Sequence, residues 1–331
     1  MKIYKSHRGV QSFHHLLSYL VGKGFKQITI PSYVCGSLLH VIAKSSLNVK
    51  YYKINSEFLP NENFLNSNKD TPEDVILFIN YFGLINFLHY VKKYLKNYRG
   101  YVIVDNAHGS FDKINYLENN SGIDAVITCP YKKHISAEFS YLFTKEPLNL
   151  INPLVNTNKD TGFRKGRNPI FSCVKNYLAG LLNIKTHLFG KNEQYNLDKW
   201  KFPIHQVFND SLKYDDIMQR RQFYLDIKMA LNNSNFVFKI PNIDKDVNPW
   251  AIPIFTKTNW LRNTAVVFSN LLGLNGFVWP TKCRFLTEMD IVSIKNLVAL
   301  EIPRTKLGRK YSLFIIKSLC KTTNLFSKNL V

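Results

Sequence analysis

The sequence predicts an α/β protein in which a mainly parallel β-sheet is covered by helices on both faces. In the first half of the chain, short apolar segments alternate with segments of helical periodicity. Hydrophobic residues make up 45% of the chain and charged residues 20%, which is a globular composition. Apolar strands that alternate with helices are typical of parallel sheets, whose ligands bind at the carboxyl ends of the strands.

The predicted elements follow in chain order. We predict helices over residues 10–22, 37–43, 87–95, 171–188, 214–231, 261–272 and 288–298. We predict strands over residues 27–30, 49–54, 75–79, 101–105, 124–128, 236–240 and 251–255. The polar segment 156–168 contains two glycines and is predicted to be a loop or domain junction.

The formal net charge is +21, from 44 basic and 23 acidic residues, and such an excess attracts anionic partners. A coding sequence rich in A and T would also enrich the chain in lysine, so the charge alone does not identify a partner. The basic residues are scattered and no nucleic-acid-binding motif accompanies them, so binding to nucleic acid is not expected.

Cysteine spacing and hydropathy indicate a reduced, soluble setting. The five cysteines lie far apart without a C-x-x-C pair, which argues against both a disulfide framework and a metal site. The first eight residues are polar, and no apolar run approaches the roughly 20 residues that span a bilayer. We therefore expect a cytoplasmic protein without a bound metal.

Two consecutive predicted strands are followed by ionisable side chains. The strand 101–105 ends in Asp105, with His108 three residues later, and Lys132 follows the strand 124–128. Because the carboxyl ends of parallel strands meet at one edge of a sheet, an acid and an amine reach the same edge. Taken singly, Asp105 is as readily a turn former or helix cap, and Lys132 a solvated surface charge.

The pair of Asp105 and Lys132 suits a cofactor that needs both groups. A lysine that is desolvated beside a cofactor can lose its proton and attack a carbonyl carbon. A carboxylate that faces a pyridine nitrogen keeps this nitrogen protonated, so that the ring accepts electrons.

Further motifs accompany this pair in a fixed order. They are Pro31-Ser32-Tyr33-Val34-Cys35, Asn80-Tyr81-Phe82-Gly83, Val104-Asp105-Asn106-Ala107-His108, Cys129-Pro130-Tyr131-Lys132, Arg220-Arg221-Gln222-Phe223-Tyr224 and Trp279-Pro280. The ordered set resembles the DegT/DnrJ/EryC1/StrS family of sugar aminotransferases, which are fold-type I enzymes that use pyridoxal 5'-phosphate (PLP). The resemblance implies the fold-type I architecture, with a large PLP-binding domain at residues 1–190 and a smaller α+β domain at residues 191–331.

The resemblance also implies roles for the matching residues. Lys132 would carry the cofactor and shuttle a proton between the cofactor and the substrate carbon. Asp105 would pair with the pyridinium nitrogen, and His108 would hydrogen-bond the ring hydroxyl. Three further side chains would lie near the ring or the substrate: Tyr33, Asn80 and Tyr81.

The phosphate would lie at the start of the first helix, beside Arg8, Gly9 and Cys129, where a helix N-terminus suits an anion. Cys129 stands where the family has serine, which leaves a weaker donor to the phosphate. The other departures from the family pattern are His7, Gly9, Asn106 and Glu138-Phe139.

The resemblance implies an aminotransferase that converts a keto-sugar nucleotide to an amino sugar, with an amino acid such as glutamate as donor, in surface-polysaccharide or amino-sugar synthesis. Enzymes of this fold build each active site at a dimer interface, so a homodimer is expected. Two alternatives stay open. The departures favour a catalytically silent relative that binds a ligand or a partner, and PLP is also compatible with another reaction, such as sugar dehydration.

The chain after Glu301 contains basic but no acidic residues. The apolar residues Leu313, Phe314, Ile315, Ile316 and Leu319 lie among the basic ones and predict one apolar helix face. One interpretation is a final helix packed on the small domain. The other is a basic amphipathic segment that associates weakly with an anionic membrane surface.

Overall fold

The computed structural model describes the chain in several stretches. They are residues 2–60, 74–85, 91, 95, 98–109, 122–133, 139–148, 214–232, 237–245, 247–278 and 296–328. In these stretches the chain forms the predicted α/β architecture, with two β-sheets and helices packed on them. No helix in this part of the chain is long and apolar enough to cross a membrane.

The first sheet is mostly parallel. Its strands are β1 (Lys2–Ser6), β2 (Gln27–Pro31), β3 (Asn48–Tyr52), β4 (Asp74–Ile79), β5 (Tyr101–Asn106), β6 (Ala125–Thr128) and β7 (Ser140–Thr144). Their order across the sheet is β1-β7-β6-β5-β4-β2-β3, and among these described strands only β7 runs in the direction opposite to the others. Strands β4 to β6 are almost wholly buried, which explains why they consist of continuous apolar residues.

Two helices cover one face of this sheet, α1 (Gly9–Gly22) and α2 (Gly36–Lys44). In α1 the side chains of Phe13, Leu16, Leu17 and Leu20 are buried, which is the spacing of a helix with one face in a core. Both helices lie within a residue or two of their predicted bounds.

The second sheet is antiparallel and belongs to the last third of the chain. Its strands, in the order β10-β11-β9-β8, are β10 (Gly276–Phe277), β11 (Leu297–Glu301), β9 (Ala251–Thr256) and β8 (Val237–Lys239). The helices of this part are α3 (Tyr214–Asn232), α4 (Asn259–Leu271) and α5 (Lys306–Lys328). One hydrophobic core contains side chains from both sheets, and backbone hydrogen bonds join Trp250 N to Phe82 O at 2.8 Å and Asp244 N to Leu84 O at 2.9 Å.

Several predictions differ from the structure or concern residues outside the described stretches. Strands β1 and β7 were not predicted, because neither five-residue segment shows the alternation of apolar and polar residues that indicates a strand. The predicted helix 288–298 is wrong at its end, where residues 297 and 298 begin strand β11. Four predictions fall mainly or wholly outside the described residues: the helices 87–95 and 171–188, the junction 156–168 with the domain boundary near 190, and the Trp279-Pro280 motif.

The final helix is confirmed, but its predicted single apolar face is wrong in part. Ile316 is buried and α5 packs on α3, whereas Phe314 is 67% exposed. Tyr311 and Leu307 are exposed one and two turns before Phe314, so a second apolar stripe faces outward. Packing of the helix is thus observed, and its association with an anionic membrane surface stays a prediction.

Candidate active site

Asp105 lies near the carboxyl end of β5, on the face of the sheet that α1 covers. It pairs in register with Ile79 of β4 and Ile127 of β6, which belong to the same core as the buried side chains of α1. Its Oδ1 accepts a hydrogen bond of 2.9 Å from Ala107 N. Burial raises the pKa of the Asp105 carboxyl above its usual value, while the charge of Lys132 opposes this effect.

Lys132 ends a short 3-10 turn, Pro130–Lys132, which follows the last residue of β6 and Cys129. Its side chain is half-buried, and Nζ lies 4.9 Å from the ring centroid of Trp250. Lys133 is buried and its Nζ donates to Gly109 O. The two adjacent lysines therefore have different surroundings. The charge of Lys132 acts to lower the pKa of Asp105, against the effect of burial.

His108 lies three residues beyond Asp105 and is buried. Its Nδ1 accepts a hydrogen bond of 3.2 Å from Phe82 N, so in the neutral ring the proton is on Nε2. Burial lowers the pKa of His108 well below its usual value, and the nearby lysines act in the same direction. The site thus contains a neutral imidazole that can donate from Nε2.

The N-terminus of α1 meets the end of β6 at close range. A Cβ atom on Gly9 would lie 2.8 Å from Cys129 Sγ, so a larger residue at position 9 would push the helix from the strand. Burial raises the pKa of the Cys129 thiol to about 11, and this side chain is therefore neutral at pH 7. The Arg8 guanidinium lies 5.2 Å from the ring centroid of Tyr131. A guanidinium, a helix N-terminus and a neutral thiol converge here, which is a suitable setting for an anion.

The predicted substrate residues fall into two groups. Tyr33 and Tyr81 are buried, their ring centroids are 5.7 Å apart, and Tyr81 Oη donates to Tyr33 O. Asn80 lies elsewhere, because its Nδ2 donates at 2.9 Å to Oδ1 of Asn106, which alternates to the face of the sheet opposite Asp105. The structure brings the two tyrosines together and directs the amide of Asn80 away from the Asp105 face.

Sequence reasoning missed two side chains from the second half of the chain. Trp250 stacks on His108 with a distance of 4.2 Å between the ring centroids and covers Lys132. Arg262 of α4 lies near Tyr33. Burial lowers the pKa of Arg262, and its interaction with Tyr33 opposes this effect. No local pattern links these positions to the strand ends, because the contacts arise only when the two sheets pack together.

Comparisons with known proteins agree with this architecture. The sequence matches no protein-family profile and no curated protein. The structure is similar to a DegT DnrJ EryC1 StrS aminotransferase from Brucella abortus, with a TM-score of 0.56 and 12% identity over 96% of this chain and 86% of that chain. It is also similar to a GDP-4-keto-6-deoxy-D-mannose-3-dehydratase from E. coli with bound hydrated PLP, with a TM-score of 0.59 and 13% identity over 97% and 87%.

A NifS-like protein from Rickettsia africae is similar as well, with a TM-score of 0.57 and 15% identity over 98% of this chain and 82% of that chain. At these identities the similarity establishes the fold. The chain has the fold-type I architecture that the motifs predict, and the predicted resemblance to the DegT/DnrJ/EryC1/StrS aminotransferases is confirmed at the level of the fold.

Proposed function

We propose that the protein is a PLP-dependent aminotransferase of the DegT/DnrJ/EryC1/StrS type that acts on a keto-sugar nucleotide. The observation that carries the proposal is the placement of Asp105 and Lys132 at the ends of adjacent parallel strands, where they interact electrostatically. The similarity to an aminotransferase of that group and to a PLP-binding sugar dehydratase supports the same cofactor.

The residues present fit PLP. Asp105 supplies a carboxylate for the ring nitrogen, neutral His108 supplies a donor for the ring hydroxyl, and Lys132 supplies the amine. Gly9 leaves room where a Cβ would meet Cys129, at a helix N-terminus suited to the phosphate. The donor set therefore matches each polar group of the cofactor.

The chain's own residues would divide the chemistry as follows. Bound PLP supplies an aldehyde for covalent attachment and a ring that withdraws electrons from the substrate carbon. Lys132 Nζ holds the cofactor and, when displaced by the amino donor, moves the proton of the substrate carbon. Asp105 keeps the proton on the ring nitrogen, and His108 Nε2 donates to the ring hydroxyl.

Amino-group transfer from a donor such as glutamate is the reaction we propose, because Lys132 supplies both the attachment point and the proton carrier that it requires. Sugar dehydration is the second candidate, favoured by the similarity to the E. coli dehydratase. The net charge of +21 suits the pyrophosphate of a nucleotide sugar. We propose that the enzyme works as a two-fold homodimer in amino-sugar or surface-polysaccharide synthesis.

The proposal predicts that PLP attaches covalently to Lys132. Protein incubated with PLP is treated with borohydride, which makes the attachment permanent, and its peptides are mapped by mass spectrometry. We expect the pyridoxyl group on Lys132 in the wild type and in Lys133→Ala, and no labelled peptide from this segment in Lys132→Ala. Label on Lys133, or none at all, contradicts the proposal.

A second prediction concerns the sulfur at the expected phosphate site. Because a hydroxyl donates more strongly than a thiol, Cys129→Ser should hold PLP roughly fivefold more tightly, equivalent to about 1 kcal/mol. The release of PLP during dialysis measures this difference. Cys320→Ser on α5 is the control, since burial, and not the charge of Asp105 or Lys132, raises the pKa of the Cys320 thiol; its replacement should leave retention unchanged. Faster loss of PLP from Cys129→Ser contradicts the assignment.

A further inference from the structure

Trp250 immediately precedes strand β9 of the second sheet, yet its indole lies against residues at the edge of the first sheet. Its ring centroid is 4.9 Å from Lys132 Nζ and 4.2 Å from the ring centroid of His108, and the planes of the two rings are 29° apart. The side chain is only 9% exposed. Trp250 therefore forms an apolar wall over an amine and an imidazole that belong to other elements.

The main chain of Trp250 is fixed on both sides. Its N–H donates to Phe82 O at 2.8 Å, and its carbonyl accepts from Ile302 N at 3.0 Å and from Arg220 Nη2 at 3.5 Å. Phe82 also donates from its own N–H to His108 Nδ1 at 3.2 Å. A single residue of the turn after β4 thus positions both Trp250 and His108.

That turn is strained in a way that supports a functional role. Phe82 has a φ of 58°, a left-handed conformation that a residue with a bulky side chain rarely adopts. Such strain persists only where the surrounding structure holds it in place, and it concentrates at functional sites. Here it allows the N–H and C=O of one residue to reach His108 and Trp250.

Side chains of the second sheet also contact the indole ring. The carboxylate of Glu301, which accepts from Asn275 Nδ2, interacts with the indole N–H, and this interaction opposes the rise in the pKa of Glu301 that burial causes. The ring of Phe277 packs on it with 5.4 Å between the centroids. Since neighbours fix both the backbone and the ring, the orientation of the ring towards Lys132 is determined by the fold.

We propose that Trp250 is a positioning residue of the PLP site: its indole fixes the ring plane of His108 and closes the site over the Lys132 amine. The proposal rests on the function proposed above. The indole face attracts a positively charged amine and excludes water from it, which limits the directions in which Nζ can point. The stacked indole also restrains His108, so that the Nε2 donor keeps one direction.

The test compares PLP binding by the wild type, Trp250→Phe and Trp250→Ala. Equilibrium dialysis gives the dissociation constant of PLP, and the absorption spectrum of the bound cofactor reports the polarity around it. We expect Trp250→Ala to bind PLP about tenfold more weakly with a shifted absorption band, and Trp250→Phe to stay within roughly threefold of the wild type. Trp260→Ala is the matched control, because Trp260 is 71% exposed on α4; it should leave both readouts unchanged.

The possible outcomes distinguish the proposed function from the proposed role of Trp250. A wild type that binds no PLP overturns the proposed function, and with it the role of Trp250. A wild type that binds PLP while Trp250→Ala shows the same affinity and the same spectrum overturns the role of Trp250 alone. Thermal melting without PLP separates misfolding from a local effect. If Trp250→Ala does not fold, Trp250→Leu decides, because leucine keeps apolar volume but has no aromatic face; an unchanged affinity and spectrum in that variant contradict positioning by the indole.

Discussion

Asp105→Asn is expected to slow the reaction of the PLP-loaded protein with L-glutamate by at least about 100-fold, the loss typical when a preorganised charge partner is removed. Asparagine keeps an oxygen that can accept from Ala107 N–H, as Asp105 does at 2.9 Å, but it carries no charge to hold a proton on the ring nitrogen. Stopped-flow absorbance of the bound cofactor after mixing with L-glutamate measures the rate in a single turnover.

The same variant should be at least as stable as the wild type without PLP. Burial raises the pKa of Asp105 in the folded chain, so above that pKa the folded state is destabilised by the ionised carboxylate, and a neutral amide removes this penalty. As the pH falls from the folded-state pKa towards the unfolded value, the wild-type carboxylate is protonated and the penalty disappears. The difference between the melting temperatures of the two proteins should therefore shrink on acidification.

Asp124→Asn is the control, because Asp124 lies at the opposite end of the sheet. Its Oδ2 accepts from Val102 N at 2.8 Å and its Oδ1 pairs with Lys145 Nζ at 3.2 Å. We expect the rate with L-glutamate to stay near the wild-type value in Asp124→Asn. Equal rates in the wild type and Asp105→Asn would assign Asp105 a structural role instead.

The part of the site that could be predicted from sequence consists of local patterns. Strands β4, β5 and β6 are buried apolar runs, so the polar residues that follow each run are visible in the sequence as strand-end residues. Asp105 and Lys132 follow directly, because parallel strands bring their carboxyl ends to one edge. Successive side chains of a strand point to opposite faces of the sheet. Residue 106 therefore lies on the face opposite Asp105, together with its hydrogen-bond partner Asn80.

The remaining features depend on contacts between distant segments. β7 runs antiparallel between β1 and β6, and pairing with the N-terminal segment is not encoded in its five residues. The run Leu297–Glu301 is too short to distinguish a buried strand from a buried helix by periodicity. Trp250 reaches Lys132 only because the second sheet packs on the first, which no motif around residue 250 indicates.

Arg220→Leu is expected to lower the free energy of unfolding by at least about 3 kcal/mol, the scale for removing one partner from a buried charged network. Arg220 is fully buried. Its guanidinium donates to four carbonyl oxygens, at 3.1 Å to Pro249, 3.5 Å to Trp250, 3.4 Å to Ile302 and 3.3 Å to Pro303. Leucine replaces much of the apolar volume but leaves these acceptors without that donor, and each unsatisfied buried group is costly.

The adjacent Arg221 is the matched control for this effect. Its Nε donates to Asp244 O at 3.1 Å at an exposed position, so Arg221→Leu should cost less than about 1 kcal/mol. Urea unfolding of both variants, followed by circular dichroism, gives the comparison. Because Arg220 joins the segment that precedes β9 to the one that follows β11, its loss should also release Trp250 and weaken PLP binding under conditions where the variant is folded. Equal unfolding free energies for Arg220→Leu and Arg221→Leu would mean that the buried guanidinium does not hold these segments together.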